Sequence, residues 1–225
     1  MVAWRERTRP GRDGPLNRGY GKTMLYRRHL IAAGLIVAAS GWPLRPAGAQ
    51  AVDRASAFVK QIGDRLTSVV NGPGSLAEKR RALTQILDGA VDVDGVAKFC
   101  LGRFWRSASP DQQTRYLAAF HEVLTSNISS RLGEYKGVRL TVVKGRPQEQ
   151  DAIVTTTVER PNSPPTAVDW VIGQPAANPK IVDVVAEGTS LRLTQRQDYA
   201  AFLSRNNNDI GALITAMQQQ AVKNG

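Results

Sequence analysis

The order of hydrophobic periods along the chain predicts an α+β fold with a helical N-terminal half, a four-stranded curved antiparallel sheet and two C-terminal helices. Three observations carry this reading. Apolar residues recur at 3-4 spacing up to about Leu132, the period drops to 2 with β-branched residues after Tyr135, and turn-free helical patterning returns near Thr194. Such segregation of helices and strands is the α+β pattern, and neither an internal repeat nor a second domain interrupts it.

Element by element, Val52, Ala55, Phe58, Val59, Ile62, Leu66 and Val69 mark one helix face, which Asn71-Gly72-Pro73-Gly74 ends. Ser75 and Glu78 form a capping-box pattern before a second helix carrying Leu83, Ile86 and Leu87. Asp92 or Asp94 caps a third through Val96, Phe99 and Cys100. Ser109-Pro110 opens the longest, lined by Tyr116, Leu117, Phe120, Leu124, Ile128 and Leu132 and ending near Gly133. Four strands are expected, at 138–144, 152–159, 167–172 and 181–186, joined by short Gly- and Pro-rich links that make an antiparallel meander. Helices over 194–203 and 209–221 close the chain.

The first 49 residues read as an address and not as part of the fold. Basic Arg27-Arg28-His29 precedes an apolar run over 30–39 and the small-residue triplet Ala47-Gly48-Ala49. That run is far shorter than the ~20 residues a spanning helix needs. The expected division is therefore residues 1–49, an extension with an export signal, and 50–225, one mature domain, with Met24 as the start of the signal. The arginine pair also fits a twin-arginine signal. Residues 1–49 hold nine Lys/Arg and two acids, so their removal lowers the net charge from +11 to +4. The basic character thus belongs mostly to the discarded part, which weakens the case for nucleic acid, and none is expected as a partner.

No sequence pattern supplies a catalytic centre, a metal or a cofactor. The mature chain holds one cysteine and one histidine, Cys100 and His121, too few for a zinc site, and it has no Gly-x-Ser-x-Gly, His-Glu-x-x-His or phosphate-cradling loop. Cys100 sits in apolar Phe99-Cys100-Leu101 and reads as core. Asp92 and Asp94 read as helix caps, and Asp169 and Asp183 alternate with apolar residues on strands. No disulfide is possible within the mature chain.

Val93-Asp94-Gly95-Val96-Ala97-Lys98-Phe99-Cys100-Leu101-Gly102-Arg103-Phe104-Trp105-Arg106 leads into Ser109-Pro110-Asp111-Gln112-Gln113. Further on stand Val168-Asp169-Trp170, the run from Lys180 to Leu191, and Gln195-Arg196 with Phe202 and Asn206. In this order the blocks resemble the MlaC family of periplasmic lipid-binding proteins, the toluene-tolerance auxiliary proteins of ABC transporters. Cys100 stands where the family pattern has a plain aliphatic residue. The resemblance implies a periplasmic, non-enzymatic carrier that takes phospholipid from or to an outer-membrane lipoprotein complex and an inner-membrane ABC transporter complex, touching those membrane complexes only transiently. It also implies an apolar pocket for acyl chains. The large apolar groups beside the matched blocks, Leu101, Trp105, Tyr116, Phe120, Leu124, Tyr135, Trp170, Ile172, Val185 and Phe202, are its expected lining. Arg103 and Arg106, three apart, are expected to meet a headgroup or a partner, the alternative being a salt bridge to Asp92, Asp94 or the following helix. Two other readings stay open: a hopanoid or other isoprenoid ligand, and a periplasmic enzyme on a similar pocketed fold, for which Asp169, Asp183 or His121 would have to converge inside the pocket.

Overall fold

The computed structural model describes residues 47–224. The expected signal segment lies outside these residues, apart from Ala47-Gly48-Ala49, which open the first helix. Helices α1 (Ala47–Asn71), α2 (Leu76–Ala90), α3 (Val93–Leu101) and α4 (Pro110–Ser130) come first, with 3-10 turns at Gly102–Arg106 and Leu132–Tyr135. Strands β1 (Arg139–Gln148), β2 (Asp151–Glu159), β3 (Thr166–Gly173), β4 (Lys180–Ala186) and β5 (Thr189–Ser190) follow. Helices α5 (Leu191–Arg205) and α6 (Ile210–Asn224) end the chain.

The caps sit where the sequence put them. Ser75 and Glu78 complete a reciprocal box at α2, Ser109 and Gln112 do so at α4, and the Asp92 carboxylate accepts from Gly95 N–H at 3.0 Å at α3. Three expectations are corrected. The sheet has five strands, because two-residue β5 pairs with β4 and is too short to leave an alternation in the sequence. The helix expected to be the longest, α4, stops at Ser130, where the backbone tightens into the 3-10 turn that contains Gly133, and its 21 residues are fewer than the 25 of α1. Helix α5 starts three residues before Thr194, because the Ser190 side chain accepts from Leu193 N–H at 3.1 Å and caps it.

The strands lie in the order β1-β2-β3-β4-β5, all antiparallel. Two β-bulges interrupt them, at Val143 on β1 opposite Thr155-Thr156 and at Val182 on β4 opposite Val171-Ile172. Each inserts one unpaired residue, which bends its strand and reverses the inside-outside phase beyond it. The paired register places Ala152, Val154, Thr156 and Val158 of β2, Val168, Trp170 and Ile172 of β3, and Ile181 and Val184 of β4 on one face.

Two separate cores result. Helices α3, α4, α5 and α6 pack around Cys100, Leu101, Tyr116, Phe120, Tyr199, Leu203, Ile214 and Met217. Helices α1 and α2 cover the apolar sheet face around Ala55, Val59, Ile62, Leu83, Ile86, Val154, Ile172 and Ile181. Helix α4 belongs to the first core, and the turn that follows it delivers Leu132 to the second. The 3-4 spacing in each helix is satisfied by one of these cores.

Candidate functional site

The first core is aromatic. Tyr116, fully buried, has ring centroids of Trp105, Phe120 and Tyr199 at 6.5, 6.1 and 6.2 Å, and Phe120 meets Tyr199 edge-on at 6.4 Å. The tilted and edge-to-face geometries are those that ring quadrupoles favour. The Tyr116 hydroxyl donates to the Ala97 carbonyl at 2.8 Å, so the polar atom at the centre of this ring cluster is satisfied. Burial raises the ionisation of both Tyr116 and Tyr199 well above the ordinary phenol range.

On the sheet side the coverage is uneven. Val154 and Ile172 are sealed, whereas Phe58, Leu66, Tyr135, Val142, Val158, Trp170 and Val184 pack against that core while remaining half-buried. Trp170 is fixed in orientation: its indole Nε1 donates to Thr156 Oγ1 at 2.9 Å, and that hydroxyl donates to the Val168 carbonyl at 3.3 Å. The result is an apolar strip on β1 to β4 with a large aromatic group held in its middle.

The ten expected lining residues do not share one chamber. Leu101, Tyr116 and Phe120 are buried in the first core, with Trp105, Leu124 and Phe202 half-buried against it. Ile172 is buried in the second, with Tyr135 and Trp170 half-buried against it. Val185 pairs with Asp169 and Ser190, so it points to the face opposite Trp170. Val142, Val158 and Val184 share the strip and Phe58 and Leu66 of α1 pack against the same core, none of the five having been named as lining from the sequence. The alternation at Val142, at Val154-Thr156-Val158 and at Val168-Trp170-Ile172 was the available signal.

Among the described residues, two of the clefts open to solvent bear on the site. One of about 570 Å³ runs between α1 and α2, lined by Lys60, Gln61, Asp64, Arg65, Ser68, Gln85 and apolar neighbours. The other, about 640 Å³, is lined by Asp88, Asp92, Asp94, His121, Asp151 and Lys180 among others. None of the ten expected residues lines either cleft.

The second cleft is the nearest approach to a catalytic arrangement. His121 Nε2 meets Asp88 Oδ1 at 2.6 Å, a pairing that can orient an imidazole. The cleft wall holds no serine, threonine or cysteine for such a base to activate. Asp169 and Asp183 are elsewhere and occupied. Asp169 accepts from Thr155 Oγ1 at 2.6 Å and from Arg146 at 3.2 Å. Asp183 accepts from Ser190 Oγ at 2.6 Å and from the backbone N–H of Val184 and Arg192 at 2.8 and 3.1 Å, with the Arg192 guanidinium at 3.4 Å. Cys100 is buried, and burial together with the nearby Asp183 charge pushes its thiol up to about 12, so it is not a thiolate nucleophile near neutrality. Among the described residues no group of three or more His, Cys, Asp or Glu could hold a metal, and no helix is long and apolar enough to cross a membrane.

Arg103 and Arg106 lie on the 3-10 turn after α3, where three residues make one turn and i, i+3 side chains share a face. Both are exposed. The salt bridges considered as their alternative are not present among the described residues. The Arg103 guanidinium stacks on Phe104 at 4.8 Å instead.

A family model described as MlaC protein matches residues 59–219. The chain is 26% identical over 144 residues to the toluene tolerance protein Ttg2D of Pseudomonas putida, covering 63% of this chain and 67% of that protein. It is also similar in fold to the phospholipid-binding protein of Ralstonia solanacearum, solved in complex with a phospholipid. That likeness has a TM-score of 0.67 and 22% identity, and covers 76% of this chain and 98% of the other.

Proposed function

The chain belongs to the MlaC family, and from that membership we propose that it is a periplasmic phospholipid carrier and not an enzyme. The observation that carries the proposal is the half-covered apolar strip on the sheet, with Trp170 braced at its centre beside a sealed core. A single soluble domain usually completes the cover of such a face. Here acyl chains would complete it, entering between the strip and the α1 side, with Tyr135 and Trp170 as the contacts already expected and Ile172 sealed beneath them. Trp105, Leu124 and Phe202, half-buried against the aromatic core, would line the second wall if the two cores separate to admit the chains.

The physical need is plain. Two acyl chains with roughly 32 methylenes gain about 25 kcal/mol gross on leaving water, at about 0.8 kcal/mol each. Unaided escape across an aqueous gap is correspondingly slow, and a carrier must substitute an apolar wall for water. The chain has no phosphate-cradling loop, so directional work falls to a partner: an inner-membrane ABC transporter complex on one side and an outer-membrane lipoprotein complex on the other. Arg103 and Arg106, exposed and unneutralised, are the proposed headgroup or partner contacts. The test is to load the protein with labelled phospholipid and follow transfer to the partner complexes in nanodiscs, with and without ATP. Transfer that needs a partner, with the lipid chemically unchanged, is the expected result. Conversion of the lipid by the protein alone would overturn the carrier reading.

A further inference from the structure

We propose that the basic surface formed by the end of α3, the 3-10 turn that follows it and the first two turns of α5 is an electrostatic docking face for anionic phospholipid membranes. Lys98, Arg103, Arg106 and Arg196 are exposed there. None of the four has a carboxylate within ion-pair distance among the described residues, whereas Arg192 beside them is offset by Asp183.

Aromatic rings, not acids, hold Lys98, Arg103 and Arg196 in place. Lys98 lies over Trp105 at 5.4 Å, Arg103 over Phe104 at 4.8 Å, and Arg192 and Arg196 both over Phe99 at 4.6 and 5.0 Å. A ring face fixes a guanidinium without cancelling its charge, and leaves its N–H edge free for phosphate oxygens. Gly102 joins the two elements: at φ +61°, it lets Arg196 approach so closely that a Cβ would sit 3.2 Å from the guanidinium nitrogens. The cations of α3 and of α5 therefore share one surface.

Two exposed leucines distinguish this surface from a simple charged face. Leu191 and Leu193, 53% and 47% exposed, flank Arg192 on the first turn of α5, next to the turn that carries Arg196. Cations beside exposed apolar side chains are the composition that binds the interfacial zone of a bilayer, where headgroups meet the former and the acyl boundary receives the latter. The exposed carboxylates on the same elements, Asp94 and Asp198, are outnumbered by the four cations. Docking of this kind is adsorption at the surface and does not require the sheet to hold a lipid, so it goes beyond the carrier reading and does not depend on it.

The experiment is vesicle sedimentation of the purified protein with phosphatidylglycerol-containing vesicles and with pure phosphatidylcholine vesicles, over a salt series. Binding confined to the anionic vesicles and falling as salt rises is expected. Each surface cation contributes about 1 kcal/mol, or roughly five-fold, so R103Q/R106Q should bind about 25-fold more weakly. L191S/L193S should weaken binding most at high salt, where the apolar part remains. The wild-type salt series stands even if a variant fails to fold. Equal binding to both vesicle types, insensitivity to salt, or undiminished binding by folded R103Q/R106Q would overturn the proposal. So would absence of vesicle binding alongside salt-sensitive binding of a polyglutamate peptide, which would assign the face to an acidic protein.

Discussion

Cys100 illustrates how a reactive residue type is silenced by its surroundings. Its Sγ lies 3.5 Å from the Arg192 carbonyl inside the aromatic core, and its thiol is pushed up to about 12 by burial first and the Asp183 charge second. Iodoacetamide at pH 8 should therefore leave the native protein unlabelled and modify it only after denaturation; rapid labelling of native protein would contradict this. Because the folded value exceeds the unfolded one, the associated stability is complete below the unfolded thiol pKa. It is lost as pH rises from there toward 12. Trp170 and Phe120 separate ligand contact from packing. Trp170 is half-buried on the strip, so W170E should fold and retain less lipid per mole of protein. Phe120 is 6% exposed within the aromatic core, so F120E should lose several kcal/mol of stability before ligand is considered. Thermal melting and lipid quantification on both variants check the pair. Burial of this kind is what Cys100's apolar neighbours indicated in the sequence, but the division of aromatics between core and strip was not.

At the scale of elements, the caps and stripes of α1 to α4 are written locally, in Ser75-Glu78, in Ser109-Pro110-Gln112 and in 3-4 spacing. They could be read without knowing the neighbours. Which stripe meets which is a long-range matter: periodicity says that Tyr116 and Trp170 face inward, not that they face different cores. The bulge at Val182 was equally hidden. In Ile181-Val182-Asp183-Val184-Val185 every apolar residue looks eligible for the inner face, yet the extra residue shifts the phase and turns Val185 away while Val184 points in. That shift also sets Asp183 opposite the start of α5, where Ser190, Arg192 and two backbone N–H groups surround it. Its side chain is 6% exposed, and removing one member of such a buried pair costs about 3–5 kcal/mol. D183A should accordingly unfold at markedly lower denaturant, by loosening β5 and α5 from β4; a midpoint within error of wild type would show that this junction is not structural.

For the whole molecule, helices α3 to α6 close one aromatic core, while α1 and α2 close the other over the sheet and leave its strip half covered, which is where a ligand can still add cover. The export reading rests on residues outside the described region and on Ala47-Gly48-Ala49 at the start of α1. N-terminal sequencing of protein taken from the cell envelope should find Gln50 first, and a retained leader embedded in membrane would contradict a freely diffusing carrier. Lipid occupancy tests the central claim most directly. Protein purified from its native envelope without detergent, then examined by native mass spectrometry and lipid extraction, should carry about one phospholipid per chain, and W170E should carry less. A hopanoid in its place would keep the carrier and change its cargo, whereas wild-type protein that is folded, lipid-free and unable to take up phospholipid offered in excess would contradict the account.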